Sequence, residues 1–537
     1  MIAALCACAA PPAATPARQS GGLPLLVDAG AGQRPISPDI YGMSFPDPAL
    51  ARELRLPLQR WGGNAATRYN WRNDASNRAA DWFFENIPND HPDPTRLPDG
   101  SAADQFVAQG RAIGAGVMLT IPLIGWTPKS RERTCGFAVA RYGPQQRSDP
   151  TGAPCGNGLR PDGTPITGND PHDTSIAIGP EFVQAWVRHL IERFGPAGHG
   201  GVALYSLDNE PSLWHQTHRD VHPEPVGYNE LRERTIAYAA ALKQADPGAQ
   251  TLGPAEWGWP SYFSSARDQV AGSWPRAAPD RDAHGGMPLV PWYLQQMRTE
   301  ERRRGVRLLD YLDLHYYPDA VALQPAGDAA TQARRLRSTR SLWDPTYRDE
   351  GWIADRVMLL PRMRAWVNEH YPGTRLAIGE YNWGALDDIN GALAQADVLG
   401  IFGREGLDLA ALWSPPAPGQ PGAFAFRIYR NYDGAGGAFG EASVPAASAD
   451  QDRLAIYAAR RAADGALTLV VINKTRMPLA ADVTLRGFAP GAAAQVYRYG
   501  PADLRAIIRA PDQPLRPDGF AATFPASSIT LLVLPPR

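Results

Sequence analysis

From about Ile36 to Pro415, short apolar runs of strand length alternate with longer amphipathic segments. The runs are "ISPDIYGMSF", "LPLQRWGGN", "GVMLTIPLIGW", "GVALYSLDNEP", "AQTLGPAEWGW", "LDYLDLHYY", "RLAIGEYNWG" and "DLAALWSPP", eight in all. Between them lie patterns such as "ADQFVAQGRAIGA", "PEFVQAWVRHLIERFG", "YNELRERTIAYAAALKQADPG" and "DRVMLLPRMRAWVNEHYPG", apolar at helical spacing and in some cases closing on Gly or Pro. Strand and helix in alternation indicate a parallel sheet, and eight repeats predict closure into a (β/α)8, TIM-like barrel. After about Phe424 the texture changes. "AFRIYRNYDG", "LAIYAARRAADGALTLVVINKT", "AADVTLRGF", "AAQVYRYG" and "SSITLLVLP" are short alternating runs with turn signals, among them Asp464-Gly465 placed as a hairpin turn. They predict an additional antiparallel β-sandwich, which the early strand "LPLLVDAG" near Leu25 is expected to join. The domain reading is a leader or tether over 1–21, a strand segment over 22–38 belonging to the sandwich, a catalytic barrel over 39–420 and the sandwich over 421–537.

Composition narrows the partner. With 53 basic and 55 acidic residues the formal net charge is −2, and neither sign collects in a long run, so a nucleic acid or anionic membrane surface is not expected. No segment approaches the length of apolar residues that a membrane span needs. The partner expected is small or neutral, and the chain is expected to be a monomer. Fifteen Trp and nineteen Tyr suit sugar rings, whose C–H faces are apolar, although any one tryptophan is more commonly a packing residue. Of the four cysteines, Cys6 and Cys8 lie in "MIAALCACAAPPAATPARQSGG", which is similar to the end of an export signal, with "LCAC" loosely like a lipoprotein cleavage box, but lacks the opening Lys/Arg. A secreted, periplasmic or lipid-anchored location is the reading, against a structureless start of no consequence. Cys135 and Cys155 bracket a Gly/Pro-rich loop with no His at zinc spacing, which points to a disulfide formed in an oxidising compartment.

Catalytic groups of such barrels project from the C-terminal ends of the strands. Glu210 stands there in the fourth run and Glu380 in the seventh. Two carboxylates on one rim are the minimum set for glycoside hydrolysis, one protonated to assist the leaving oxygen and one ionised to attack the sugar carbon, and a separation of about 5–5.5 Å would dictate retention. Either one alone would more often be a rim glutamate in a salt bridge; the pair at strands four and seven is far more specific. Asn209 can donate to a sugar hydroxyl, Pro211 helps to end the strand, and Tyr316 in "LHYYP" is placed to hold Glu380 ionised as nucleophile. Arg60, Trp61 and Asn64 in "RWGGN" are rim residues, and that stretch lacks the spacing of a phosphate loop. Trp126, Trp257, Trp259, Trp383 and Trp413 follow strands three, five, seven and eight and are candidates for a sugar platform, extended by Trp343 and Trp352, with about half of them expected to be packing residues. Neither a GxSxG elbow nor a Cys nucleophile arrangement is present, so acyl transfer has no support.

These pieces together identify a resemblance. "RWGGNAATRYNW", "WFFENIP", "DPHDTS", "YSLDNEPSLWHQTHRDVHP" and "IGEYNWG", in that order, resemble glycoside hydrolase family 44. The resemblance implies a barrel with a β-sandwich, an endo-acting β-1,4-glucanase often active on xyloglucan, Glu210 as acid/base and Glu380 as nucleophile, and no organic cofactor. It also implies a structural calcium, for which Glu85, Asp170 and Asp173 supply oxygen ligands, against an Asx-turn cluster that binds nothing. His215, His218 and His222 with Asp220 read as scaffold around a catalytic residue rather than a transition-metal site. The function expected is retaining endo-hydrolysis of cellulose-like β-glucan or xyloglucan. The alternatives are a xylanase or mannanase of the same mechanism, a metal-dependent hydrolase using the histidines, and a non-catalytic glycan-binding protein.

Overall fold

The computed structural model describes residues 21–272, 277–318 and 321–537, so the leader reading, with Cys6 and Cys8, lies outside the described residues. Eight parallel strands close into a barrel: Gly42–Ser44, Leu58–Trp61, Gly116–Ile121, Leu204–Leu207, Gln250–Glu256, Tyr311–Tyr316, Arg375–Tyr381 and Leu409–Leu412. They are numbered one to eight below. Each falls within one of the apolar runs, as expected for strands covered on both faces. Toward their N-terminal ends Leu58, Met118, Leu204, Leu252, Tyr311, Ala377 and Leu409 pack as one buried ring inside the barrel. Side chains alternate along a strand, so the positions two further on also face inward. At strands two and six these are Arg60 and Asp313, both fully buried. The interior therefore turns from apolar to charged on the way to the C-terminal rim.

The helices show why the amphipathic segments fold as they do. Ala102–Ile113 starts at Ser101, whose hydroxyl accepts from Asp104 N, and stops at Gly114 in the left-handed conformation (φ 75°). Its buried face carries Phe106, Val107 and Gly110. Pro421–Arg430 corrects the sequence reading, which placed "AFRIYRNYDG" in the sandwich. It is a helix with Pro421 in its first turn, packed on Ile389–Glu405, and it completes the strand–helix alternation after strand eight. Its apolar residues are buried on nearly all sides, including Phe424, Phe426, Ile428 and Tyr429, and over so short a run that pattern does not separate helix from strand.

The C-terminal part forms two sheets. A four-stranded sheet runs in the order Ala446–Ser448, Leu23–Asp28, Leu479–Arg486, Gly519–Phe524. A seven-stranded sheet includes Leu454–Arg460, Leu467–Asn473, Ser528–Leu534, Ala493–Gly500 and the edge strand Asp503–Pro514. The early strand Leu23–Asp28 lies parallel to Leu479–Arg486, with Leu25 opposite Val483. Asp464 and Gly465 (φ 70°) sit in the hairpin between Leu454–Arg460 and Leu467–Asn473. The sandwich meets the barrel at Asp397 of helix Ile389–Glu405, fully buried, which accepts from Thr339 Oγ1 (2.6 Å), Tyr457 OH (2.7 Å) and Lys474 Nζ (2.6 Å).

Between strands two and four the chain makes an excursion over the rim, in which Tyr69–Asn70, Ala75–Asn77, Glu85–Pro88 and Thr134–Cys135 form a small antiparallel sheet. Cys135 and Cys155 are joined there by a disulfide, Cα atoms 5.5 Å apart. No helix among the described residues is long and apolar enough to cross a membrane.

Candidate active site

Strand irregularities aim the charged groups into the barrel mouth. Between strands six and seven Asp313 lies opposite Ala377 while His315 lies opposite Glu380, so the seventh strand carries an extra residue. That bulge puts Glu380 where strict alternation would not. Past strand four, Asp208 (φ 73°) and Glu210 (φ 48°) are both left-handed, and Glu210 N donates to Ala255 O of strand five (2.9 Å). Asp208 locks this turn. Its buried carboxylate accepts from Leu123 N, from Ile124 N (3.1 Å), from Thr67 Oγ1 (2.6 Å) and from Asn209 N (2.7 Å). Strained backbone of this kind gathers at functional sites.

The result is a compact cluster. One oxygen of Glu210, one of Glu380 and a ring nitrogen of His315 all lie within 4.8 Å of one another. Glu380 accepts from Arg60 Nη1 (2.6 Å) on one oxygen and from Tyr317 OH (2.6 Å) on the other. Arg60 Nη2 also reaches Asn209 Oδ1 (3.0 Å), and Asn209 Nδ2 donates to Asn64 Oδ1 (3.2 Å). Glu210 Oε1 is 3.0 Å from His315 Nδ1, and that nitrogen is 3.9 Å from Glu380. The two glycines of "RWGG" make the room: a Cβ on Gly62 would stand 2.4 Å from the Arg60 guanidinium, and one on Gly63 (φ 81°) 2.5 Å from the Trp413 ring. The Arg60 guanidinium lies over Trp413, 5.6 Å from the ring centroid.

Environment drives the two glutamates apart. Burial raises the pKa of Glu210, and the negative Glu380 adds to this, while the hydrogen bond to His315 opposes it; the net direction is up. Burial would raise Glu380 as well. There the positive charge of His315 and Arg60, with hydrogen bonds from Tyr317 and Arg60, outweighs it, and the net direction is down. Burial lowers His315, but both carboxylates favour its charged form and its pKa is raised. Such a split between neighbouring carboxyls is how acid and ionised partner are distinguished. A third carboxyl, Glu256 at the end of strand five, is fully buried and accepts from Ser212 Oγ (2.9 Å); burial pushes its pKa up to about 8.

Several sequence expectations need correction. Tyr317, not Tyr316, bonds Glu380. Asp313, His315 and Tyr317 share the inward face by alternation, whereas Tyr316 faces outward and packs against Trp383 (5.8 Å). Trp383 is itself fully buried and donates to Ser338 Oγ (3.1 Å), so it is a packing residue. Trp343 lies beneath Arg404 (4.2 Å), near the C-terminal end of helix Ile389–Glu405, which in a barrel is the end away from the catalytic rim. Trp259 is only 7% exposed, held between Phe263 (4.7 Å) and Arg362 (5.1 Å), yet it is among the residues lining the cavity beside Trp257. Trp126 stands in the excursion, edge-on to His172 (5.1 Å). The remaining aromatic candidates reach the rim: Trp61 and Trp413 on one side, and on the other Trp257, stacked on the 52% exposed Trp352 (6.4 Å) over a cavity of about 300 Å3 that Tyr317 also lines.

Glu85, Asp170 and Asp173 do not converge on a common point. Glu85 pairs with Arg133 (2.7 Å), Asp173 pairs with Arg141, and Asp170 accepts from His172 N (2.9 Å) at its own turn. Arginines balance two of the three charges, so the expected calcium ligand set is not assembled from these residues. The histidines of "WHQTHRDVHP" do not converge either: Asp220 binds Arg68 (3.2 Å), His222 meets Glu230 (2.8 Å) and His218 is fully buried. Residues that sequence reading passed over are His315, Tyr317, Asp208 and Glu256.

A (β/α)8 barrel with an Asn-Glu after strand four, a glutamate on strand seven and an arginine from strand two between them defines the barrel class of glycoside hydrolases with catalytic carboxylates on those strands. The model of glycoside hydrolase family 44 matches residues 75–320. CelM2, described as a bifunctional glucanase-xylanase protein from a metagenome library, is 44% identical with a TM-score of 0.93, covering 96% of this chain and 99% of that one. A Paenibacillus polymyxa xyloglucanase from glycoside hydrolase family 44 is 30% identical at TM-score 0.79, over 96% and 99% of the two chains. The chain belongs to glycoside hydrolase family 44. Endoglucanase A of Paenibacillus lautus is 32% identical over 458 residues, which is 82% of this chain and 62% of that protein. The chain therefore spans less than two thirds of that curated relative. It spans 34% of a second, the β-mannanase/endoglucanase A of Caldicellulosiruptor saccharolyticus, at 30% identity over 482 residues.

Proposed function

We propose that this chain hydrolyses internal β-1,4-glucosidic bonds of cellulose-like polysaccharide or xyloglucan with net retention. The observation that carries the reading is the pairing of Glu210 and Glu380 within 4.8 Å, their pKa values pushed in opposite directions. Retaining enzymes place their carboxyls about 5–5.5 Å apart and inverting ones about 6.5–9.5 Å, and the close approach of Glu210 and Glu380 supports the shorter class. Glu380, ionised and held on both oxygens, attacks the anomeric carbon while Glu210 gives its proton to the leaving oxygen. Glu210 then takes a proton from the water that releases the sugar. Arg60 fixes Glu380 and Asn209 together, so that the carboxamide meets the sugar being attacked. Two carboxyls and water complete the reaction, so no organic cofactor is called for. The disulfide suits a site of action outside the reducing cytoplasm.

Xylan is the second substrate to test, because the 44% identical CelM2 is described as a glucanase-xylanase. The experiment is reducing-sugar release from xyloglucan, carboxymethylcellulose, mixed-linkage glucan, xylan and mannan, with the anomer of the first product followed by NMR. β-Anomer release from a β-glucan is expected, and Glu380→Gln should abolish it while the protein stays folded. No release from any of the five would leave a glycan-binding role; an α-anomer first product would refute retention.

A further inference from the structure

Resting on the reading above, we infer that Phe45 forms a sugar-binding position on the glycone side, holding the ring that precedes the one under attack. Phe45 follows strand one and is 46% exposed at the barrel mouth, so its apolar ring is open to a ligand. Its backbone is left-handed at φ 47°, a conformation that a bulky residue adopts only when its surroundings impose it. Its N–H donates to Arg60 O (3.1 Å), which ties the turn to the strand that carries the catalytic pair's arginine.

The ring is propped rather than covered. Trp61 (5.4 Å, 58°), Phe106 (5.6 Å, 59°) and Trp413 (6.4 Å, 76°) all meet it at a tilt, leaving nearly half its surface open. Trp413 lies over Arg60, and Arg60 holds Glu380, so Trp413 belongs with the sugar that Glu380 attacks. Because Phe45 and Trp413 stand at 76°, one flat pyranose cannot lie on both rings; Phe45 serves a neighbouring sugar. The side follows from the barrel order. Strands four and seven divide the rim into two arcs, strands five and six on one side and strands eight, one, two and three on the other. Trp257 follows strand five, beside Glu210, where the leaving sugar must receive its proton. Phe45 stands in the opposite arc, two strands from Glu380. The ligand is therefore the apolar face of a β-linked pyranose toward the non-reducing end.

The test uses cellotetraose labelled at its reducing end and the full chain. Only cleavage at the bond nearest the non-reducing end leaves the Phe45 position empty; the other two bonds require it filled. Phe45→Gly removes the ring and fits the left-handed backbone, so folding is not the confounder, and the ratio of products is independent of the active fraction. The ratio of cleavage at the other two bonds to cleavage at the first is expected to fall about tenfold, the worth of one ring-stacking contact. Phe45→Trp is expected to restore it. An active wild-type protein whose ratio is unchanged in Phe45→Gly overturns this inference alone. A wild-type protein that releases no sugar from any β-glucan overturns the functional reading and this one with it.

Discussion

Tyr317→Phe isolates the hydrogen bond that keeps the proposed nucleophile charged. The substitution removes one hydroxyl, 2.6 Å from Glu380 Oε1, and leaves the ring and the Arg60 bond to the other oxygen in place. A hydrogen bond to a charged group contributes about 1.5–3 kcal/mol, so kcat/KM is expected to fall about 10- to 100-fold if the bond is made in the transition state. The pH profile gives a second, independent readout. Glu380 must be ionised, and its pKa is lowered against the effect of burial by His315, Arg60 and the Tyr317 hydrogen bond. Without the hydroxyl that pKa rises, so activity is lost earlier as pH falls and the acid limb of kcat/KM moves to higher pH. Tyr316→Phe, one residue away on the opposite face, should leave the acid limb where it is. The assay is initial-rate hydrolysis of a soluble β-glucan across pH for the three proteins. Activity of Tyr317→Phe within twofold of wild type with an unmoved acid limb would refute the assignment, and an equal shift in Tyr316→Phe would show that the effect is not specific to the bond.

Two further predictions concern stability. Glu256 has a pKa of about 8 when folded against 4.5 as its reference, so it stabilises the fold fully below about 4.5 and that contribution is lost as pH rises through about 8. Glu256→Gln, which mimics the neutral acid, should flatten the pH dependence of the melting temperature in that window, and parallel wild-type and variant curves would count against a neutral Glu256. Lys474→Met removes the ammonium 2.6 Å from buried Asp397 at the barrel–sandwich joint, with an expected loss of about 3 kcal/mol in chemical denaturation, and a loss below 1 kcal/mol would mean that Thr339 and Tyr457 suffice.

The barrel was legible because parallel strands covered on both faces read as near-continuous apolar runs, each broken from the next by an amphipathic segment. Glu210 and Glu380 were legible for a related reason, since each ends such a run. What the run does not reveal is which neighbour shares its inward face. In "DLHYYP" the period of two carries Asp313 to His315 and Tyr317, and fixing the register on Asp313 would have chosen Tyr317. Glu380 breaks that rule through a bulge, a feature of the pairing with strand six rather than of its own sequence. Tryptophan positions were the least legible. Trp383 and Trp413 both follow a barrel strand, yet the first is fully buried and the second lines the mouth, because a strand end can turn its last aromatic either way. Pro421–Arg430 was hidden by its own burial, and Phe45 by the absence of any sequence signal for left-handed backbone at a phenylalanine.

The chemistry rests on how the barrel mouth divides protons among crowded carboxyls. Glu210, Glu256, Asp313 and Glu380 all face a region from which water is largely excluded, and burial raises the first three. Ionising all four there would place several uncompensated charges in low dielectric, so the fold supports the charged form only where cations and donors converge. They converge on Glu380: a guanidinium on one oxygen, a phenol on the other, an imidazole 3.9 Å away. Among the described residues the one hydrogen bond to the Glu210 carboxyl comes from the imidazole, and Glu210 feels Glu380 as a neighbouring negative charge. Each carboxylate thus determines the state of the other, because an ionised Glu380 helps to keep Glu210 protonated. In the proposed double displacement Glu380 becomes a neutral ester, and with that repulsion gone the pKa of Glu210 would fall. The proposed base of the second step is therefore produced by the first, ready for the water that enters once the leaving sugar has gone.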